Sequence, residues 1–177
     1  AWFWGKIVGR YIVVFTPVFL AMLGAVGWAT IKDIEIPWGM FGYYTALLAV
    51  MAMCFLGIGM LISAVARSTD IAQGAAFMVW LTLLLFLDLI LLGVMIQGKV
   101  APEVAVGVAL VNPLQVFRTA ALALFDPQLI VLGPSAYVIL DTFGLVGYKV
   151  FALVYPAALG LLSATIGYFI FRRGDLP

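Results

Sequence analysis

Residues 71–96 read IAQGAAFMVWLTLLLFLDLILLGVMI, a run in which Asp88 is the single ionisable side chain. The hydrocarbon core of a bilayer is about 30 Å thick, and a helix needs roughly 20 apolar residues to cross it. This run therefore predicts a membrane span. Lipid offers the backbone no hydrogen-bond partner, so a spanning segment must be a helix or one strand of a closed barrel. A barrel would show alternating segments of about ten residues, whereas the apolar runs here are continuous. The fold class expected is an all-α integral membrane protein embedded in a lipid bilayer.

Composition agrees with that class and removes several functions. Hydrophobic residues make up 66% of the chain and charged residues 10%, with a mean hydropathy of +1.23, far outside the soluble range. A net charge of +1 gives no basic surface for nucleic acid. The chain has no His, which removes imidazole chemistry, His-ligated haem and the usual copper and zinc sites. Cys54 is the lone cysteine and cannot form an internal disulfide. There is no GxxxxGK[ST] loop, so ATP and Mg chemistry belongs to a partner if it occurs at all. No Ser/His/Asp, Cys/His or paired-carboxylate arrangement is visible, and neither an enzyme active site nor a cofactor or metal in this chain is expected.

Read in order, the chain opens with AWFWGKIVGR, where Trp2, Phe3 and Trp4 stand beside Lys6 and Arg10. Aromatic rings next to cations mark a membrane-interface anchor. A first span is expected over 11–31, with Pro17 removing one backbone donor and predicting a kink. Residues 32–40 form a polar turn closed by Pro37 and Trp38, and a second span follows over 41–65. Thiolate and thioether ligands suit Cu(I), but Met51, Met53, Cys54 and Met60 lack a clean ligand spacing, and Met commonly fills gaps. Gly57 and Gly59 fit close helix packing. Arg67 lies in a tight loop over 66–69. Asp70, three residues before Gln73, is expected to cap the third span, 71–96, as one half of a capping box.

Beyond Gln97 the pattern changes. Pro102, Pro113, Pro127 and Pro134 cut 98–147 into pieces too short to cross a bilayer. Asn112-Pro113 is a helix start, a capping side chain followed by Pro at the first helical position. Leu114, Phe117, Ala121 and Leu124 are expected to form one apolar stripe, with Gln115 and Arg118 away from it. Asp126-Pro127 stops that helix, and Gly133-Pro134 breaks the next piece. Short interfacial or re-entrant helices between the third and fourth spans are the natural reading. The last span is expected over 148–171, ending at Arg172-Arg173. The sum is one transmembrane domain of about four spans. The positive-inside bias favours Lys6, Arg10, Arg67, Arg172 and Arg173 on the cytoplasmic side, both termini inside, and 98–147 facing the periplasm or exterior.

Asp88 carries the sharpest functional hint. An Asp at a helix centre costs roughly 2.5–3.5 kcal/mol on insertion scales, so it should face protein or water. Arg118 is the candidate partner, and Asp88, Asn112 and Arg118 form a candidate gate or outer polar cluster. The plainer alternative is a structural ion pair. Lys6, Arg67 and Asp70 are the candidate contacts for a cytoplasmic partner, against an ordinary hairpin loop.

The order of these features resembles the later part of a type-2 ABC exporter permease. In that family a Gly-Lys-containing segment opens a span, as Gly5-Lys6 does here. Two more spans follow, then a broken outer region, then a last span with a basic tail such as Phe171-Arg172-Arg173-Gly174-Asp175. FLDLILL around Asp88 and NPLQVFR over 112–118 are similar to the NosY-type permeases of nitrous oxide reductase maturation, where an Asp in a span precedes an Asn-Pro-x-x-x-(Phe/Tyr)-Arg element. The resemblance implies a six-span subunit working as a dimer in a bacterial or archaeal inner membrane. It further implies a cytoplasmic ATPase and coupling to export or to a periplasmic maturation protein. Such permeases carry two spans and a coupling helix before the segment matching Gly5-Lys6. This sequence opens on Ala instead, so either a longer product or a shortened relative is expected.

The competing class is a non-transporting structural subunit of a larger energy-transducing membrane complex; a quinone-binding anchor is a third. If Asp88 and Arg118 pair, removing both charges should destabilise the protein less than removing either. Thermal midpoints of D88N, R118Q and the double variant in detergent check this, and independent effects would dismiss the pair.

Overall fold

The computed structural model describes residues 2–86, 102–132 and 134–174, and those residues are helical with short connections. The first helix, α1, covers Trp2–Ile31 and runs on through Pro17. It ends in a double-bonded C-terminal turn: the Ile34 N–H donates to the Ala29 carbonyl at 2.9 Å and the Asp33 N–H to the Thr30 carbonyl at 3.3 Å. Asp33 takes the left-handed conformation (φ 53°) that this turn requires, a position Asp tolerates because its short polar side chain can bond locally. The second helix, α2, covers Trp38–Val65. It starts directly after Pro37, whose carbonyl accepts from the Phe41 N–H at 3.0 Å.

Helix α3, Thr69–Leu81, corrects one sequence expectation. Its N-cap is Ser68, whose side chain accepts from the Ile71 N–H, and Asp70 sits inside the first turn. A capping residue must be extended, and here it is Ser68 that is (φ −147°, ψ 162°). The Asp70–Gln73 capping box is therefore not formed, although an acid in the first turn still meets the favourable end of the helix dipole. After Leu81 the ladder opens into a π-helical turn, Thr82–Phe86. Asp88, and the rest of the span expected over 71–96, lie outside the described residues.

The broken region contains α4 (Pro102–Val111), α5 (Pro113–Phe125) and a 3₁₀ turn over Ile130–Leu132. Helix α6 then covers Pro134–Gly174. It is interrupted at Gly144 (φ 65°, ψ 166°), a backbone conformation essentially restricted to glycine. Among the described residues, three helical stretches are long and apolar enough to cross a membrane: Phe3–Ile31, Trp38–Val65 and Ala136–Arg172.

The chain divides into two compact units, Ala1–Val65 with Pro156–Pro177, and Ala66–Tyr155. In the first, the Phe3 ring lies 5.6 Å from Tyr168 and 5.8 Å from Phe171. The start of α1 and the end of α6 therefore share one end of this unit. Helices α2 and α6 run parallel and touch at the backbone. A Cβ built on Gly160 would meet the Cys54 Cα at 2.7 Å and the Met53 carbonyl at 2.8 Å, and one on Gly57 would fall on the Gly160 carbonyl. Seven residues further along α6, a Cβ on Gly167 would meet the Leu61 Cα at 3.1 Å. Apolar burial drives little helix association in lipid, so packing this close between small residues is a main source of cohesion. Met51, Cys54 and Met60 are buried in the same unit.

Gly160→Ala should destabilise this unit by about 1–3 kcal/mol, because backbone rather than a flexible side chain must move. Gly59→Ala has no neighbour within 4 Å and should be neutral, or stabilising by up to about 1 kcal/mol. Thermal unfolding of the two variants in detergent makes the comparison.

Candidate functional site

The second unit is organised around Asn112, which sits between α4 and α5 and is 1% exposed. Pro113 presets the first helical φ and has no N–H to satisfy, while Asn112 stays extended (φ −87°, ψ 110°). Its Oδ1 accepts from the Leu114 N–H at 3.0 Å, which caps α5. Its Nδ2 donates to the Leu83 carbonyl at 2.7 Å. Leu83 belongs to the π-helical turn, where the wider winding displaces carbonyls from their usual partners. One side chain thus satisfies a helix start and a helix irregularity together. Turns of this kind inside α-helices occur frequently at functional sites.

Two tyrosines add to the clasp. The Tyr155 hydroxyl donates to the Val111 carbonyl at 2.5 Å, and Val111 ends α4, where a carbonyl lacks an intrahelical donor. Tyr148 shares a side-chain hydrogen bond with Thr119 of α5, and both are buried. The Phe151 ring stacks on Tyr155 at 5.3 Å and 7°, and it also lies 5.3 Å from Phe143, across the break at Gly144. Sequence reading passed over Tyr148, Thr119 and Tyr155. A Tyr inside an apolar stretch has a polar tip that needs a partner when buried, and that was the available signal.

The buried face of α5 differs from the expected stripe. Pro113, Val116, Thr119, Ala120, Ala123 and Leu124 are buried; of the expected set only Leu124 is, while Leu114, Phe117 and Ala121 are half-buried. The face turned inward includes the small residues Ala120 and Ala123, both fully buried. Gln115, expected on the polar side, is half-buried, and among the described residues its Oε1 is buried without a hydrogen-bond partner.

The remaining candidates fall in different places. Arg118 is exposed on α5, and its pairing with Asp88 lies outside the described residues. Arg67 and Asp70 are exposed at the start of α3. Lys6 belongs to the other unit, where it lines a small cavity together with Arg10.

Asn112→Ala removes both hydrogen bonds and leaves the part-buried Leu83 carbonyl without that donor, which should cost about 1–3 kcal/mol. Asn112→Asp keeps an acceptor for Leu114 but sets a carboxylate against the Leu83 carbonyl. Hydrogen exchange at 83–86 and 114–116 should rise in both regions for the Ala variant, and mainly at 83–86 for the Asp variant.

A family model described as ABC-2 family transporter protein matches residues 3–176. No curated protein and no solved structure matches the chain. The match spans both compact units, including the long apolar helices and the clasped broken region between α3 and α6. The chain thus belongs to the ABC-2 transporter family, as a membrane-embedded permease subunit of an ABC transporter, a family whose ATP hydrolysis resides in a separate subunit.

Proposed function

We propose that this permease is NosY-like: it couples a cytoplasmic ATPase either to export or to a periplasmic protein under maturation. The observation that carries this reading is the bond from Asn112 to the Leu83 carbonyl. It ties the helix of the NPLQVFR element to the π-helical turn that stands just before Asp88 in sequence. In this reading Asp88, Asn112 and Arg118 form the outer gate. Movement of the third span is passed to α5 through Asn112, and the Gln115 Oε1 supplies a buried acceptor along the same polar route.

The protein sits in the inner membrane of a bacterium or archaeon with both termini in the cytoplasm, and it works as a homodimer or within a larger assembly. The shared end of α1 and α6 supports termini on the same side. Lys6, Arg67 and Asp70 face the ATPase, and the exposure of all three suits a contact surface. ATP and Mg are bound by that partner. Positive charge on the Arg67 loop would meet an acidic patch there, since charge complementarity sets association rate and register.

The test is purification of the native complex in mild detergent, with mass spectrometry of its subunits, for wild type, Arg67→Glu and Asn112→Ala. A P-loop ATPase should co-purify with wild type and with Asn112→Ala, and its retention should fall by about tenfold for Arg67→Glu, as expected for reversing a contact charge. Asn112→Ala should keep the ATPase bound while losing transport or maturation. Redox or photosynthetic subunits without any ATPase would overturn the reading in favour of a structural subunit.

A further inference from the structure

The first compact unit holds a cavity of about 110 Å³ at the end where α1 begins and α2 and α6 finish. Phe3, Lys6, Arg10, Met60, Ser63 and Phe171 line it. Lys6 and Arg10 stand one helical turn apart on α1, so both cations reach the same concavity. The Arg10 guanidinium is held toward α2 by a hydrogen bond to the Met60 sulfur at 3.3 Å, a weak acceptor that leaves most of its donor capacity for something stronger. Ser63 adds a hydroxyl. No carboxylate is among the described lining residues.

Depth in the membrane sharpens the chemistry. Phe3, Trp4, Tyr168 and Phe171 cluster around this end, with ring separations of 5.6–6.2 Å, and such aromatic belts sit at headgroup level. Basic pockets between transmembrane helices at that level bind lipid head groups. A cavity needs only about 10–15 Å³ to admit one water, so this one has room for a larger polar group.

We propose that this cavity binds a phosphate group, with Arg10 and Lys6 as its cationic ligands and Ser63 as a hydroxyl donor. The competing account is that Lys6 and Arg10 only offset the partial negative charge, about half a unit each, at the ends of α2 and α6. That account predicts no preference among lipids. The proposal is independent of the Asn112 clasp; it shares Lys6 with the expected partner-contact set, while Arg10 and Ser63 lie outside that set.

The test is native mass spectrometry of the full chain, purified in mild detergent and stripped of lipid. It is titrated with dioleoylphosphatidylglycerol, with dioleoylglycerol (the same chains without phosphate) and with inorganic phosphate. Wild type should retain the phospholipid over the diacylglycerol. Arg10→Gln should weaken that retention by about fivefold, the effect of one basic residue near a headgroup. Arg10→Lys should restore most of it, and Lys32→Gln, beyond the other end of α1, should change nothing. Retention insensitive to inorganic phosphate identifies a lipid headgroup. Binding of inorganic phosphate with expulsion of the lipid supports the same site and identifies a soluble phosphate. Equal retention of the two lipids by wild type, or an unchanged preference in Arg10→Gln, overturns the proposal. Should Arg10→Gln not fold, the wild-type lipid comparison and Arg10→Lys still decide it.

Discussion

Every departure from regular helix inside an apolar layer exposes backbone groups that lipid cannot satisfy, each costing several kcal/mol. This chain departs at the π-helical turn Thr82–Phe86, between α4 and α5 at Asn112, and at Gly144. The first two are resolved by one side chain. Asn112 accepts from Leu114 and donates to Leu83, so the irregularity in one helix and the start of another depend on each other. Tyr155 treats the end of α4 in the same way through the Val111 carbonyl. Among the described residues, the end of α4 and the start of α5 are thus closed by polar side chains, which lets irregular backbone persist there.

The other unit solves the opposite problem. Its helices run on through Pro17 and Pro156, each of which lacks one backbone donor, and they need a reason to adhere. Gly57, Gly160 and Gly167 provide it by allowing α2 and α6 to meet backbone to backbone, where dispersion contacts and weak Cα–H contacts to carbonyls accumulate. Much of α1 stays exposed, including Val13, Leu20 and Trp28, and in an integral membrane protein such a face is covered by lipid or by another subunit. Close packing in one unit and polar stitching in the other suit a permease.

Polar residues in an apolar chain thus serve two purposes here. Asn112 and Tyr155 close the backbone, whereas Lys6 and Arg10 line a concavity in the other unit. The two sets lie in different compact units. That separation makes the family's division of labour, permease here and ATPase elsewhere, open to residue-level dissection.

The sequence by itself determined the class and a few helix limits, the ends at Ile31 and Val65 and both ends of α5. Continuous apolar runs, the Asn112-Pro113 start and the Asp126-Pro127 stop act through local sterics and hydrogen bonding, and these do not depend on neighbours. Tertiary structure decided the rest. Ser68, Thr69 and Asp70 are all able to cap, and the backbone path selected Ser68. Helix α5 buries Pro113, Val116, Thr119, Ala120, Ala123 and Leu124, a face that its own apolar spacing does not single out. Nothing in TLLLF announces a π-helical turn; it exists where Asn112 of a distant segment can satisfy the Leu83 carbonyl. Local chemistry is written in short spacings, while a bond between positions 83 and 112 requires the folded chain to bring them together.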